Sequence, residues 1–134
     1  MSERVTTCKA LAAMIHDAGT PTVDEMRFIA HVALELGLSE DDNKSVQSIL
    51  EGGGSFDELV AEVKDPEMQL FLFRQVVAAA LIDDHINDSE HSYINTAATA
   101  FTISDELRAA FIAWMHEGMD WEKRGMALLD QMKN

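Results

Sequence analysis

An all-α fold follows from three features of the chain. Helix-start signals recur along its length, no segment shows sustained period-two alternation with β-branched enrichment, and an internal repeat is built of helix–loop–helix units. The expected architecture is a single-domain helical bundle, residues 1–134, of about 7–8 helices in two pseudo-symmetric halves, about 4–65 and 66–134. Apolar residues make up 47% of the chain, ample for a core, and a chain of this size buries roughly 65–70% of its unfolded surface.

The elements follow in order from their caps, each supplying acceptors for orphan backbone N–H groups. A helix over 4–17 centres on Leu11-Ala12-Ala13-Met14-Ile15. Thr22-Val23-Asp24-Glu25 fits a capping box and opens 23–37. Ser39 before Glu40-Asp41-Asp42 opens 40–51, with acids where the helix dipole favours them. Gly52-Gly53-Gly54 ends that helix; it lacks the Lys-Ser/Thr of a phosphate loop, and Glu51, Asp57 and Glu58 surround it. Ser55-Phe56-Asp57-Glu58 opens 56–64, and Asp65-Pro66 pairs an N-cap with proline at the first helical position of 66–83. Met68–Ile82 is apolar on nearly every side and is expected to be the central, fully buried helix.

Asn87-Asp88-Ser89-Glu90 opens 88–101, and Ser104 before Asp105-Glu106 opens 105–117. Asp120 before Trp121-Glu122 is read as the cap of a last helix, 121–132. Phe111, Ile112, Trp114, Met115, Met119, Trp121, Met126 and Leu129 are expected to close one end of the core. A partner groove is the less common use of such residues at helical spacing.

The repeat aligns Glu25 with Glu90, Phe28 with Tyr93, Ile29 with Ile94, Ala33 with Ala98 and Ser39 with Ser104. One extra residue in the first interhelical loop then brings Asp17 onto Asp83. Each half thus carries an Asp at a helix end and a Glu opening the next helix.

Charge excludes some functions. Aspartate and glutamate total 24 against 10 lysines and arginines, a net −14. Such a field repels nucleic-acid phosphates and anionic lipid and attracts cations or a protein partner with a basic surface. A lone Cys8 permits no intramolecular disulfide or thiolate metal cluster and reads as a half-buried small hydrophobe. Leu11–Ile15 is too short for a secretory signal, and Met68–Ile82 falls short of the roughly 20 residues of a membrane span. A cytoplasmic protein is the expectation; the oligomeric state stays open.

The segment Ala78-Ala79-Ala80-Leu81-Ile82-Asp83-Asp84-His85-Ile86-Asn87-Asp88-Ser89-Glu90 resembles the recurring pattern of the tellurite-resistance TerB-like family. That pattern is an Ala-rich apolar helix, Asp-Gly, a branched apolar residue and a Glu opening the next helix. Ala12-Ala13-Met14-Ile15-His16-Asp17-Ala18-Gly19 through Glu25 is a looser match. The resemblance extends over about residues 8–115, with Asp84 and Ala18 where the family has Gly. It implies a duplicated helical module tied to tellurite or general stress systems and acting with partner proteins. It also implies metal contact at Asp17, Glu25, Asp83 and Glu90.

Four hard oxygen donors with loop carbonyls suit Ca²⁺, Mg²⁺ or Mn²⁺, and His85 and His91 flanking the loop would favour Zn²⁺, Ni²⁺ or Mn²⁺ over Ca²⁺. Capping alone also accounts for these residue types, with Glu90 bonding back to the N–H of Asn87. No histidine pair has the i, i+4 spacing of a helical zinc motif. His31 is expected at a core margin, and His116 near a helix end where a cation suits the dipole. No residue set forms a catalytic constellation. The leading expectation is a non-enzymatic interaction module with a divalent-cation site on its acidic loops; a dedicated metal sensor or buffer is the alternative, and an acidic nucleic-acid mimic a distant one.

Overall fold

In the computed structural model, residues 2–82 and 86–133 are described. Among them the chain forms seven helices and no strand: α1 (Glu3–Asp17), α2 (Val23–Glu35), α3 (Glu40–Gly52), α4 (Phe56–Ala61), α5 (Pro66–Ala80), α6 (Asp88–Ala100) and α7 (Asp105–Met132). The caps are largely those expected. Thr22 with Glu25 and Asn87 with Glu90 close reciprocal capping boxes, as does Ser39 with Asp42. Ser55, Asp65 and Ser104 each accept an N–H from their helix's first turn, and Ser2 does the same for α1.

The two halves stop their second helix by the same device. After α2, Gly37 takes a left-handed φ of 66°, and the N–H of Leu38 donates to Ala33 O at 3.1 Å. After α6, Thr102 takes φ 58°, and the N–H of Ile103 donates to Ala98 O at 2.8 Å. Both are Schellman turns. They fall on the register that pairs Ala33 with Ala98 and Ser39 with Ser104. The first helices also match in length, 15 residues each, and the second helices, 13 each.

The central helix is α1, not α5 as expected. Cys8 and Ala10 to Ile15 are all buried, and α1 packs against α2, α3, α4 and α5. Its small residues explain this, since Ala10, Ala12 and Ala13 let neighbours approach on every side. In α5 one face leaves the core, where Leu70 is 60% exposed. Long-range bonds pin α1: Arg4 Nη1 donates to Leu36 O at 3.1 Å, and Glu3 Oε1 accepts the N–H groups of Lys64 and Asp65 at 3.0 and 2.9 Å. α5 also ends earlier than expected, at Ala80, whereas α1 runs through Asp17. Asp83, the expected counterpart of Asp17 at a helix end, lies outside the described residues.

The largest departure is at the C-terminal end. The expected helices 105–117 and 121–132 are one continuous α7 of 28 residues, where its counterpart α3 has 13. Asp120 does not cap a new helix; it pairs with His116 one turn back at 3.4 Å. No proline interrupts the run, and helix propagation is favourable wherever nothing stops it. The expected apolar end-cap forms only in part: Phe111, Ile112, Met115 and Met119 pack partly buried on the core, whereas Trp114, Trp121, Met126 and Leu129 are exposed. No helix among the described residues is long and apolar enough to cross a membrane.

Candidate interaction surface and the acidic corners

α7 has two apolar sides. On one, Phe111, Ile112, Met115 and Met119 pack against the core, with the Phe111 ring 5.6 Å from that of Phe73. On the other, Leu107, Phe111, Trp114, Gly118, Trp121, Gly125, Leu128 and Met132 recur at alternating steps of four and three residues. That spacing puts them on a single stripe along the helix. Trp114 is 58% exposed, Trp121 69% and Met132 76%, and Met126, Leu128 and Leu129 are exposed as well. Single exposed apolar residues are ordinary; a contiguous stripe of them marks an interaction surface. A Trp side chain offers roughly 150–250 Å² of surface, and at 58% and 69% exposure Trp114 and Trp121 still present much of it to whatever docks there.

The stripe runs into a groove of about 570 Å³ between α5 and the first half of α7. Leu70, Phe73, Arg74, Ile103, Leu107, Ala110 and Phe111 line it, and Leu70 and Leu107 stand open to solvent. Arg108 fastens this half of α7 to the body through Asn95 on α6, and it also pairs with Asp105 within α7 at 3.7 Å. The second half, beyond Met119, projects as an amphipathic helix without apolar contact to the core. The expectation named Trp114, Trp121 and Met126 as core, because apolar residues at helical spacing are more often core, and it broke the helix at Asp120. The stripe passes through that point without losing its spacing, which is the signal that shows it as one face.

The acidic corners are occupied locally. Glu25 Oε1 accepts the N–H of Thr22 at 2.9 Å, and Glu90 Oε1 accepts the N–H of Asn87 at 3.0 Å. Asp17 Oδ2 accepts the Tyr93 hydroxyl at 2.7 Å, joining the end of α1 to α6. Asp83 and His85 lie outside the described residues. Among the described residues no three His, Cys, Asp or Glu side chains are grouped so as to hold a metal ion. Tyr93 also packs edge-on against Phe56, with centroids 4.9 Å apart. Burial, the bond to Asp17 and the negative charges of Asp17 and Asp57 push its phenol well above the ordinary value of 10.0.

Three of the described histidines, His16, His31 and His116, make local contacts. His16 Nδ1 bonds Leu50 O at 2.9 Å, bracing the end of α3, and its ring lies against Gly53. His31 is exposed, not at a core margin, and pairs with Glu35 at 2.9 Å. His116 lies within α7 rather than near a helix end; with His91 it lines a shallow groove between α6 and α7. Cys8 is fully buried rather than half-buried, and burial pushes its thiol up to about 12, so it is no nucleophile near neutral pH.

No known protein-family model matches the chain, and neither a curated protein nor a solved structure matches it.

Proposed function

We propose that this protein is a cytoplasmic, non-enzymatic interaction module of the TerB-like kind, docking a protein partner on the apolar stripe of α7. The observation that carries this reading is the projecting half of α7, with Trp121, Leu128 and Met132 in solvent on one line. A monomer gains nothing by exposing such a stripe, and covering it is strongly favourable. The pattern from Ala78 to Glu90 supports the same class, a helical module working through partners in stress responses. Were the partner's surface basic, the acidic body would steer it by long-range attraction. A cation site has less support, because Glu25 and Glu90 each commit an oxygen to their own caps and Asp17 commits one to Tyr93.

Site-specific photocrosslinking tests this in cells. A photoreactive residue at position 121 should give one discrete adduct, and the same residue at Asp41, on exposed α3, should give none. Absence of any adduct specific to position 121 would remove the reading.

A further inference from the structure

Resting on the reading of α7 as the docking surface, we infer that its partner is a second copy of this chain. The two α7 helices pair antiparallel about a two-fold axis lying between Gly118 and Trp121. In an antiparallel pair each a position faces a d position. About this axis Trp121 faces Gly118 of the second copy, Trp114 faces Gly125, Phe111 faces Leu128 and Leu107 faces Met132. Large side chains therefore meet glycines at the two central layers, and apolar side chains of moderate size meet one another outside them. The glycines are otherwise costly, since each disfavours a helix interior by about 1 kcal/mol relative to Ala. Within the single chain neither relieves a contact, because a Cβ added at Gly118 or Gly125 meets nothing within 4 Å.

Charge fixes the same register independently. Flanking the seam, Glu117 of one copy comes level with Arg124 of the other, twice by symmetry. A slip of one heptad in one direction sets Glu117 against Glu117, and in the other sets Arg124 against Arg124. Like charges so placed oppose those registers. The outer layers also meet the body: Leu128 and Met132 of one copy face Phe111 and Leu107, which line the groove beside Leu70 and Phe73. The projecting end of each α7 thus covers the open groove of the other molecule.

The net charge does not forbid this pairing. Residues 107–132 hold four acids and three bases, whereas the whole chain carries −14. The pairing segment is nearly neutral, and the repelling charge sits on the body, where salt screens it over about 8 Å at physiological ionic strength. Self-pairing should therefore strengthen as salt rises. Docking to a basic partner would weaken.

Sedimentation equilibrium on the purified full chain decides the matter. The expected result is a monomer–dimer equilibrium that shifts toward dimer with added salt. Gly118→Leu with Gly125→Leu should raise helix propensity and leave the chain folded by circular dichroism, yet abolish the dimer. Glu117→Arg alone should weaken dimerisation by about tenfold, and Glu117→Arg with Arg124→Glu should restore it. A chain monomeric at all concentrations and salts would overturn the assignment, as would a dimer indifferent to both pairs of substitutions. So would a monomer that binds phosphatidylserine vesicles through Trp121. A monomer that still crosslinks from position 121 to a different protein would sink the second copy and keep α7 as the docking surface. A monomer with no such adduct would sink both.

Discussion

The Tyr93 hydroxyl donates to Asp17 Oδ2 at 2.7 Å, joining residues 76 positions apart in the sequence. It links the last residue of α1 to α6 and so ties the first half of the molecule to the second. A hydrogen bond to a charged acceptor contributes about 1.5–3 kcal/mol when shielded, and less at a site open to water. Tyr93→Phe keeps the edge contact with Phe56 and should cost about 1 kcal/mol in urea denaturation. The sign of its pH effect is fixed. A phenol raised in the folded state gives its full stabilisation below its ordinary pKa and loses it as pH rises toward the folded value. The tyrosine contribution should therefore fade above pH 10.0, and Tyr93→Phe should lack that part of the alkaline loss. An identical alkaline profile in the variant would show that the bond contributes nothing.

Capping and cation binding make opposite demands on Glu25 and Glu90. A cap needs only an acceptor, and Gln serves at the third position of a capping box; a hard cation needs the carboxylate. Glu25→Gln with Glu90→Gln should change the melting temperature little, whereas Thr22→Ala should cost about 1 kcal/mol. Ca²⁺, Mg²⁺, Mn²⁺ and Zn²⁺ should each leave the wild-type melting temperature unchanged. An upward shift that disappears in the double Gln variant would reinstate the ion site.

Cys8 should be silent to thiol reagents in the native state and react only at the rate of unfolding. Its thiol is raised by burial from 9.0 to about 12, so the folded state favours the neutral form. That stabilisation is complete below pH 9.0 and is lost as pH climbs to about 12, at no more than about 1.4 kcal/mol per pH unit. Urea midpoints measured between pH 8 and pH 11 for wild type and Cys8→Ala should diverge in slope only above pH 9.0. Parallel slopes would mean that the thiol titrates normally.

How much of this was legible in the sequence depended on whether the signal was local. Caps were readable because they are local: Thr22 with Glu25 and Asn87 with Glu90 place their own partners three residues away. The repeat was readable because Ala33 and Ala98 sit at the same point of matching helix stops. The identity of the central helix was not. Apolar content favoured α5, but packing on all sides is decided by side-chain size, and the small residues of α1 admit four neighbouring helices. The interaction stripe was hidden by a local signal that lost. Asp120 has the chemistry of a cap, yet the helix it would interrupt meets no proline, and Asp120 pairs back to His116 within it. Among the site residues, Asp17 accepts the Tyr93 hydroxyl, a pairing that no spacing rule reaches across 76 positions.

The repeat also exposes one position where the two halves differ at a cost. The αL residue after α2 is Gly37, and its equivalent after α6 is Thr102, at φ 58°. A β-branched residue is poorly suited to that region, because its Cβ crowds the backbone, whereas glycine adopts it freely. Sparsely populated backbone conformations cost of order 1–3 kcal/mol, part of which glycine returns through its greater freedom in the unfolded chain. Thr102→Gly should therefore stabilise the protein by about 0.5–1 kcal/mol. The reverse exchange, Gly37→Thr, should destabilise it by about 1–2 kcal/mol. Both are read as shifts in urea midpoint at constant m-value. A Thr102→Gly variant less stable than wild type would mean that the threonine side chain contributes more through its contacts than its backbone strain costs.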